Sequence, residues 1–303
     1  MNIDITFLGT GSSMPTEKRN HSGILVSCSN QNILVDCGEG IQRQFKIAKI
    51  NPCKLTHILL THWHGDHTFG IPGLLATLAM SGYQKTLRIY GPKGTKEKLS
   101  LLQKIYGNFK INLEVKELSV RKILNEKDFE IHSSPASHGT PTNSYAFLIK
   151  DKFRIDKVKL EKLKLPNSPI LAKLQQGKDI VHPITKKKIK ASQITYLQKG
   201  KKLCILLDTR PSESLTKLAK NSDILICEAS FLSSEDNGDK LAREYNHMTA
   251  KQAAQTAKKA KVYSLILTHL SQRYEHVPQK IIEEAKKTFK NVSIAKDLET
   301  IKL

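Results

Sequence analysis

Thr61-His62-Trp63-His64-Gly65-Asp66-His67 places four potential metal ligands within six residues, directly after the apolar run 57–60. In an extended loop, residues two apart point to the same side, so His62 and His64 can share one cation. Gly65 permits a tight turn that carries Asp66 and His67 round towards a second cation. Imidazole nitrogen together with carboxylate oxygen suits zinc and tolerates manganese or iron. Even with 11 histidines in 303 residues, three of them clustering with an aspartate at this spacing is improbable by chance.

Further ligands follow later runs. His138 sits in Pro135-Ala136-Ser137-His138-Gly139, Asp208 ends the apolar run 203–207, and His269 ends 263–267. Polar residues at the carboxyl ends of buried strands are where α/β folds place their sites. Each alone reads equally well as a strand-end cap or a satisfied histidine. Together with the loop they supply enough donors for a dinuclear centre, with one carboxylate able to bridge.

Around these residues, strand and helix patterns alternate. Strands are expected at 3–8, 23–28, 32–35, 57–60, 87–90, 144–149, 203–207, 224–227, 263–267 and 292–294. Helices are expected at 41–50, 72–81, 95–106, 212–220, 249–259 and 279–289. Several strand runs are continuously apolar, which suits sheets covered on both faces, so the chain reads as a layered α/β fold. The length accommodates either one large domain or two.

Apolar residues at 39% and charged residues at 25% exclude a disordered profile. No run approaches the ~18 apolar residues of a membrane span. Met1-Asn2-Ile3-Asp4-Ile5-Thr6 has neither a basic region nor an apolar stretch of the signal-peptide kind. Cys28, Cys37, Cys53, Cys204 and Cys227 are odd in number and form no Cys-x-x-Cys pair, so reduced thiols are expected.

The net charge of +21 favours a polyanionic partner. Residues 150–202 hold sixteen Lys and Arg against four acids, more than half of that excess. Within them Lys157, Lys159, Lys162, Lys164 and Lys173 interleave with leucines and valine, and Pro166 and Pro169 interrupt the pattern. Two short basic helices joined by a proline-containing turn are expected, with too few apolar residues for a core of their own, projecting as an arm. A solvated surface hairpin is the plainer alternative, weakened by so lopsided a charge.

The histidine loop with a later His, Asp and His resembles the metallo-β-lactamase superfamily. Further motifs narrow the resemblance: Phe7-Leu8-Gly9-Thr10-Gly11, Asp36-Cys37-Gly38-Glu39-Gly40, Asp208-Thr209-Arg210-Pro211, Cys227-Glu228-Ala229-Ser230, His247-Met248-Thr249 and Thr268-His269-Leu270-Ser271-Gln272-Arg273-Tyr274. With these the chain resembles the short form of the ribonuclease Z family of tRNA 3′-processing endonucleases, from residue 3 to about 275. The resemblance implies an α/β metallo-β-lactamase fold, a four-layer αββα sandwich forming a single domain over 1–303. A flexible basic arm protruding from it at about 150–178 would bind tRNA.

The activity implied is zinc-dependent hydrolysis of precursor tRNA 3′ of the discriminator nucleotide, leaving a 3′-hydroxyl on the tRNA and a 5′-phosphate on the trailer. By the same resemblance His62, His64 and His138 hold one Zn2+, Asp66, His67 and His269 hold the other, and Asp208 bridges. Asp66 also accepts a proton. His247, oriented by Glu228, stabilises the phosphate or protonates the leaving oxygen; a helix-capping role before 249–259 is the alternative. Lys157, Lys159, Lys162, Lys164 and Lys173, with Arg19 and Arg273, are the expected substrate-binding residues. A cytoplasmic homodimer is implied, the arm of one subunit holding tRNA cut by the other, with no membrane partner.

The chain departs from the family pattern in three places. Pro15-Thr16-Glu17-Lys18-Arg19-Asn20 shifts the lysine of Pro-x-Lys-x-Arg-Asn by one, in a loop that bears on discrimination against tRNA already ending in CCA. Asn167-Ser168-Pro169 stands where relatives carry a Gly-Pro turn, and Cys227 where His is common. A general metallo-hydrolase of small phosphodiesters or thioesters would leave the basic segment unexplained. A non-catalytic RNA-binding protein is disfavoured by the full ligand set. His21, His57, His132, His182 and His276 are taken as structural or surface residues.

Overall fold

The run before the histidine loop forms a strand, His57–Leu59, buried at every residue. The computed structural model describes residues 3–118, 122–165, 168–235 and 237–303; Met1, Asn2, Pro166 and Asn167, which carried expectations above, lie outside the described residues. The chain divides into two compact units, Met1–Phe147 with Lys202–Leu303, and Leu148–Lys201.

The first unit is built on two seven-stranded sheets. Its strands in chain order are β1 (Asp4–Gly9), β2 (Gly23–Cys28), β3 (Gln31–Val35), β4 (His57–Leu59), β5 (Thr86–Gly91), β6 (Asn112–Glu117), β7 (Lys122–Asn125), β8 (Phe129–Ser137) and β9 (Pro141–Ile149). After the second unit, which holds β10 (Lys152–Ile155), β11 (Ile180–Val181), β12 (Lys188–Ile189) and β13 (Thr195–Gln198), come β14 (Lys202–Leu206), β15 (Ile224–Glu228), β16 (Ser264–Thr268), β17 (Val292–Ile294) and β18 (Thr300–Lys302). One sheet runs β18-β1-β2-β3-β4-β5-β6 and the other β17-β16-β15-β14-β9-β8-β7. β3 to β6 pair in parallel, as do β14 to β17.

The helices are α1 (Ile41–Ile47), α2 (Gly65–Thr68), α3 (Ile71–Met80), α4 (Thr95–Tyr106), α5 (Lys157–Lys162), α6 (Ile170–Gln175), α7 (Ala191–Ile194), α8 (Glu213–Ala219), α9 (Gly238–Glu244), α10 (Ala250–Ala260) and α11 (Pro278–Lys286). Ile41 and Phe45 of α1, Ile71, Leu74, Leu75 and Leu78 of α3 and Leu99 of α4 bury against Leu34, Ile58, Leu87 and Ile89 of the first sheet. Full burial of such side chains contributes roughly 1.5–3 kcal/mol each. α8, α10 and α11 pack on the strands of the second sheet. The Tyr145 hydroxyl of β9 donates to the Leu60 carbonyl at the end of β4, tying the sheets together at the site. The order is helices, sheet, sheet, helices, as expected. No helix among the described residues is long and apolar enough to cross a membrane. All five cysteines are free.

The second unit differs from its expected form. Its two short basic helices are present as α5 and α6, and Asp156 caps α5 by accepting from the Val158 and Lys159 amides. It nevertheless has a core of its own, made by Leu165, Leu171, Leu174, Ile180, Ile189, Ala191 and Ile194. Four of these come from after residue 178, beyond the expected arm. The unit runs on to Lys201 because β13 is the antiparallel partner of β10. Lys157, Lys159, Lys162, Lys164 and Lys173 are all exposed.

Candidate metal centre

His62 and His64 flank Trp63 in an extended segment, and the alternation sends the indole one way and the two imidazoles the other. Trp63 packs into the core beneath the helices and donates from Nε1 to Thr95 Oγ1 at 2.9 Å, while the histidines face the sheet ends. Gly65 makes no left-handed turn; it opens the helical turn α2, and a Cβ there would fall 2.1 Å from the Phe69 ring. That turn still brings Asp66 and His67 round to the same side. Gly38 lets the preceding loop close on it, since a Cβ at Gly38 would lie 2.4 Å from the Asp66 carbonyl oxygen.

The remaining ligand candidates arrive from strand ends. His138 follows β8, Asp208 follows β14 and His269 follows β16. Asp208 and His269 adopt φ of 44° and 55°, and Asp36 after β3 adopts 60°. Left-handed backbone costs a non-glycine residue on the order of 1–3 kcal/mol and clusters at functional sites. Here it turns each side chain inward.

Two groups of donors converge, with ligand atoms inside 4.8 Å of one another: His62, His64 and His138, and Asp66, His67, Asp208 and His269. His64 Nδ1 lies 3.1 Å from His138 Nε2, and His67 Nε2 lies 3.2 Å from His269 Nε2. Asp208 faces both groups. Its Oδ2 is 3.4 Å from His138 and 3.7 Å from His62, and its Oδ1 is 3.3 Å from His67 and 3.2 Å from His269. Asp66 Oδ2 lies 3.4 Å from both His67 and His269.

Outer hydrogen bonds leave the inward nitrogens as lone pairs. His67 Nδ1 donates to Asp36 Oδ2 at 2.7 Å, His138 Nδ1 to the Asn246 carbonyl at 3.1 Å, and His269 Nδ1 to Ser230 Oγ at 3.1 Å. Asp36 also accepts from the Thr61 amide and hydroxyl, whose oxygen lies 3.0 Å from His62 Nδ1. His62 Nε2 and Asp208 Oδ1 are buried without a hydrogen-bond partner. Acceptors converging on acceptors, with orphaned buried atoms among them, suit a bound cation. A proton competes with the cation here: burial lowers the His67 pKa, but the Asp208 and Asp36 charges outweigh it and raise it well above the ordinary imidazole range, so metal binding at His67 would release that proton. Burial and the His67 charge hold His62 well below the ordinary imidazole range. Burial raises the Asp66 and Asp208 carboxyls, but the facing histidines outweigh it and hold both far below the usual range. This is the donor set of a metal cofactor site.

Comparison with known proteins places this centre. Residues 3–162 match the family model described as anti-Pycsar protein Apyc1. A ribonuclease Z of Methanothermobacter thermautotrophicus is 37% identical over 303 residues, covering 99% of this chain and 97% of its own. The chain belongs to the ribonuclease Z family. A Listeria monocytogenes ribonuclease Z is 37% identical with 98% of each chain covered. The crystal structure of human tRNase Z, short form, superposes with a TM-score of 0.70 at 26% identity over 98% of each chain. The metallo-β-lactamase fold protein YhfI of Bacillus subtilis gives 0.72 at 20% identity over 100% of this chain and 99% of its own, which speaks to the fold. The two sheets and their helical layers are thus a metallo-β-lactamase fold.

Beside the ribonuclease Z donor set lies a second pair. His247 Nδ1 donates to Glu228 Oε2 at 2.8 Å, and Glu228 also accepts from Ser230 Oγ and the Thr209 amide. Burial lowers the His247 pKa, but the charge and hydrogen bond of Glu228 outweigh it and lift it to about 9. The helix cap that follows is Thr249, in a capping box with Gln252, so His247 is not needed there. Cys227 buries its thiol against Met248 Sδ at 3.8 Å.

Arg273 lines a cavity of about 280 Å³ with Met14, Phe231, Tyr245 and His247. Its guanidinium lies 6.0 Å from the Phe231 ring, and Phe231 stacks on Tyr245. Arg19 is not brought to this cavity, contrary to expectation. It is buried, donating to Thr10 Oγ1 at 2.7 Å and the Ala295 carbonyl at 3.0 Å, with Glu275 at 3.6 Å. Its charge braces the loop instead. His57 and His182 are buried and His276 is exposed, and none of them belongs to a donor group among the described residues.

Sequence reading missed Asp36, Ser230 and Asn246 as orienting residues, although Asp36 and Ser230 lie in motifs it quoted. Replacing Asp36 by Asn is expected to weaken metal binding by about 10–100-fold, as loss of an outer carboxylate does. Competition with a chelator measures it; wild-type affinity would remove Asp36 from this role.

Proposed function

We propose that this chain removes 3′ trailers from precursor tRNA by hydrolysis after the discriminator nucleotide, using two zinc ions per subunit. The observation that carries the reading is the two-sided Asp208, whose oxygens face separate histidine groups beside the paired His247 and Glu228. Full-length identity to ribonuclease Z supports the substrate class.

His62, His64 and His138 would hold one ion, Asp66, His67 and His269 the other, and Asp208 both. When bound, two such ions supply Lewis-acid charge for in-line displacement at a phosphodiester. Asp66 is ionised at neutral pH and takes a proton from the attacking water. His247 is protonated there, with Nδ1 held by Glu228, and gives its proton to the departing 3′-oxygen. That direction of proton flow yields a 3′-hydroxyl on the tRNA and a 5′-phosphate on the trailer. The cavity at Arg273, Phe231 and Tyr245 offers stacking surface for a base next to the cut. End-mapping of the products of a precursor tests this reading, and a 3′-phosphate on the tRNA would contradict it.

The Leu148–Lys201 unit is assigned to tRNA. A-form RNA is read largely by shape and phosphate contacts, and exposed Lys157, Lys159, Lys162, Lys164 and Lys173 suit that task. We assign a homodimer in which this unit of one subunit holds the tRNA cut by the other, and a cytoplasmic location. Deleting 153–176 should cripple tRNA cleavage and spare hydrolysis of bis(p-nitrophenyl) phosphate. Equal loss of both activities would contradict docking by this unit.

A further inference from the structure

His247 lies on the walls of two cavities. One is the aromatic cavity at Arg273. The other, about 520 Å³, is lined by Arg210, Arg243, Lys251, Gln252 and Asp239 and has no Phe, Tyr or Trp on its walls. Arg210 Nη2 donates to the Arg243 carbonyl at 2.6 Å, which fixes its guanidinium at the end of α9. Asp239 Oδ1 accepts from Ser233 Oγ at 2.6 Å. Among the described residues, the Arg243 guanidinium and the Lys251 ammonium form no ion pair. Three cations therefore face one carboxylate.

The charge is carried by side chains, since the first amides of α10 are already engaged. Ala250 donates to the Phe231 carbonyl, Lys251 to Glu284 Oε1 and Gln252 to Thr249 Oγ1. None of these three cations was singled out as a site residue in the sequence, and among the described residues no hydrogen bond or ion pair joins their side chains to the metal donors.

An endonuclease cuts inside a strand, so RNA must continue on both sides of the reacting phosphate. Resting on the nuclease reading above, we propose that the Arg210–Arg243–Lys251 cavity is a subsite for backbone phosphates of the RNA flanking the cut. The aromatic cavity suits a base and the cationic one suits phosphates, with His247 between them. Flexible cations of this kind hold phosphates without reading sequence.

The test is the salt dependence of precursor binding, read by anisotropy in the Asp66→Ala background so that the RNA stays intact. Each single-strand phosphate contact contributes about 0.7 to the slope of log K against log salt, and each duplex contact about 0.9. Arg243→Ala with Lys251→Ala should therefore flatten the slope by about 1.4 to 1.8. Lys258→Ala with Lys259→Ala, two exposed lysines further along α10, should leave it unchanged. Arg243→Lys with Lys251→Arg should retain the wild-type slope, which separates charge from misfolding. Precursors with trailers of one and ten nucleotides locate the phosphates: flattening only with the long trailer places them in the trailer, and flattening with both places them in the acceptor stem. An unchanged slope with both precursors, or equal flattening by the control pair, overturns the subsite. Cleavage by the wild-type chain is followed in parallel. Its absence defeats the nuclease reading, whereas cleavage with an unchanged slope defeats the subsite alone.

Discussion

Asp208→Ala is expected to lose bound metal and trailer removal together. Among the described residues Asp208 is the one carboxylate whose two oxygens face different histidine groups, at 3.4 Å from His138 on one side and 3.2 Å from His269 on the other. Without it, each group keeps histidines but no shared anion, and two nearby cations repel without a bridge. Metal content measured by mass spectrometry should fall towards zero. Cleavage should fall by on the order of 10³-fold or more, because several kcal/mol of transition-state charge stabilisation disappears. The fold should persist, since the strand ends around Asp208 are held by backbone pairing of β14 with β15. Wild-type metal content in the variant would refute the bridging role.

His247→Ala should behave differently, losing activity but keeping metal. A positioned general acid contributes typically 10²–10⁴-fold, so kcat should fall by about that much. The pH profile carries the sharper test. His247 acts in its protonated form, so activity should decline as pH rises through its pKa of about 9. Burial alone would place that pKa below the ordinary imidazole value, and Glu228 is what raises it. Glu228→Gln removes the charge and keeps a side chain of the same size, so the alkaline decline should move to lower pH. An alkaline limb that stays in place would assign it to another group and leave His247 without the acid role.

How the site could be read from sequence depended on the range of the interactions. The pairing of His62 with His64 is local, a consequence of alternation around a tryptophan that needs the core. Asp208 and His269 were legible because continuous apolar runs stop just before them, and strand ends face one side of such a sheet; His138 follows the mixed strand β8 and was legible only through the resemblance. Gly65 was legible as the pivot of a tight turn, but the helical form of that turn was not, because four residues of Gly, Asp, His and Thr have no periodicity to detect. Asp36 stayed hidden as an orienting group because its partners Thr61 and His67 are 25 and 31 residues away.

The burial of Arg19 and the small core of the basic segment went unread for a related reason, charge standing in for exposure. Arg19 finds Thr10, Ala295 and Glu275 only in the folded chain. In Leu148–Lys201 the lysines outnumber a few apolar residues spread over short elements, and those suffice for a small core once β13 returns to β10. β8 and β6 went unread because both mix polar and apolar residues; β6 is an edge strand with no residue fully buried.

The central claim is a metal-dependent cut at one phosphodiester of precursor tRNA, made by this donor set. The most direct measurement incubates the zinc-loaded chain with a 3′-labelled precursor, beside Asp66→Ala and a chelated sample. The account predicts a single cut just after the discriminator nucleotide, absent from both controls. An intact precursor with the zinc-loaded chain, while a small phosphodiester is still hydrolysed, would contradict it.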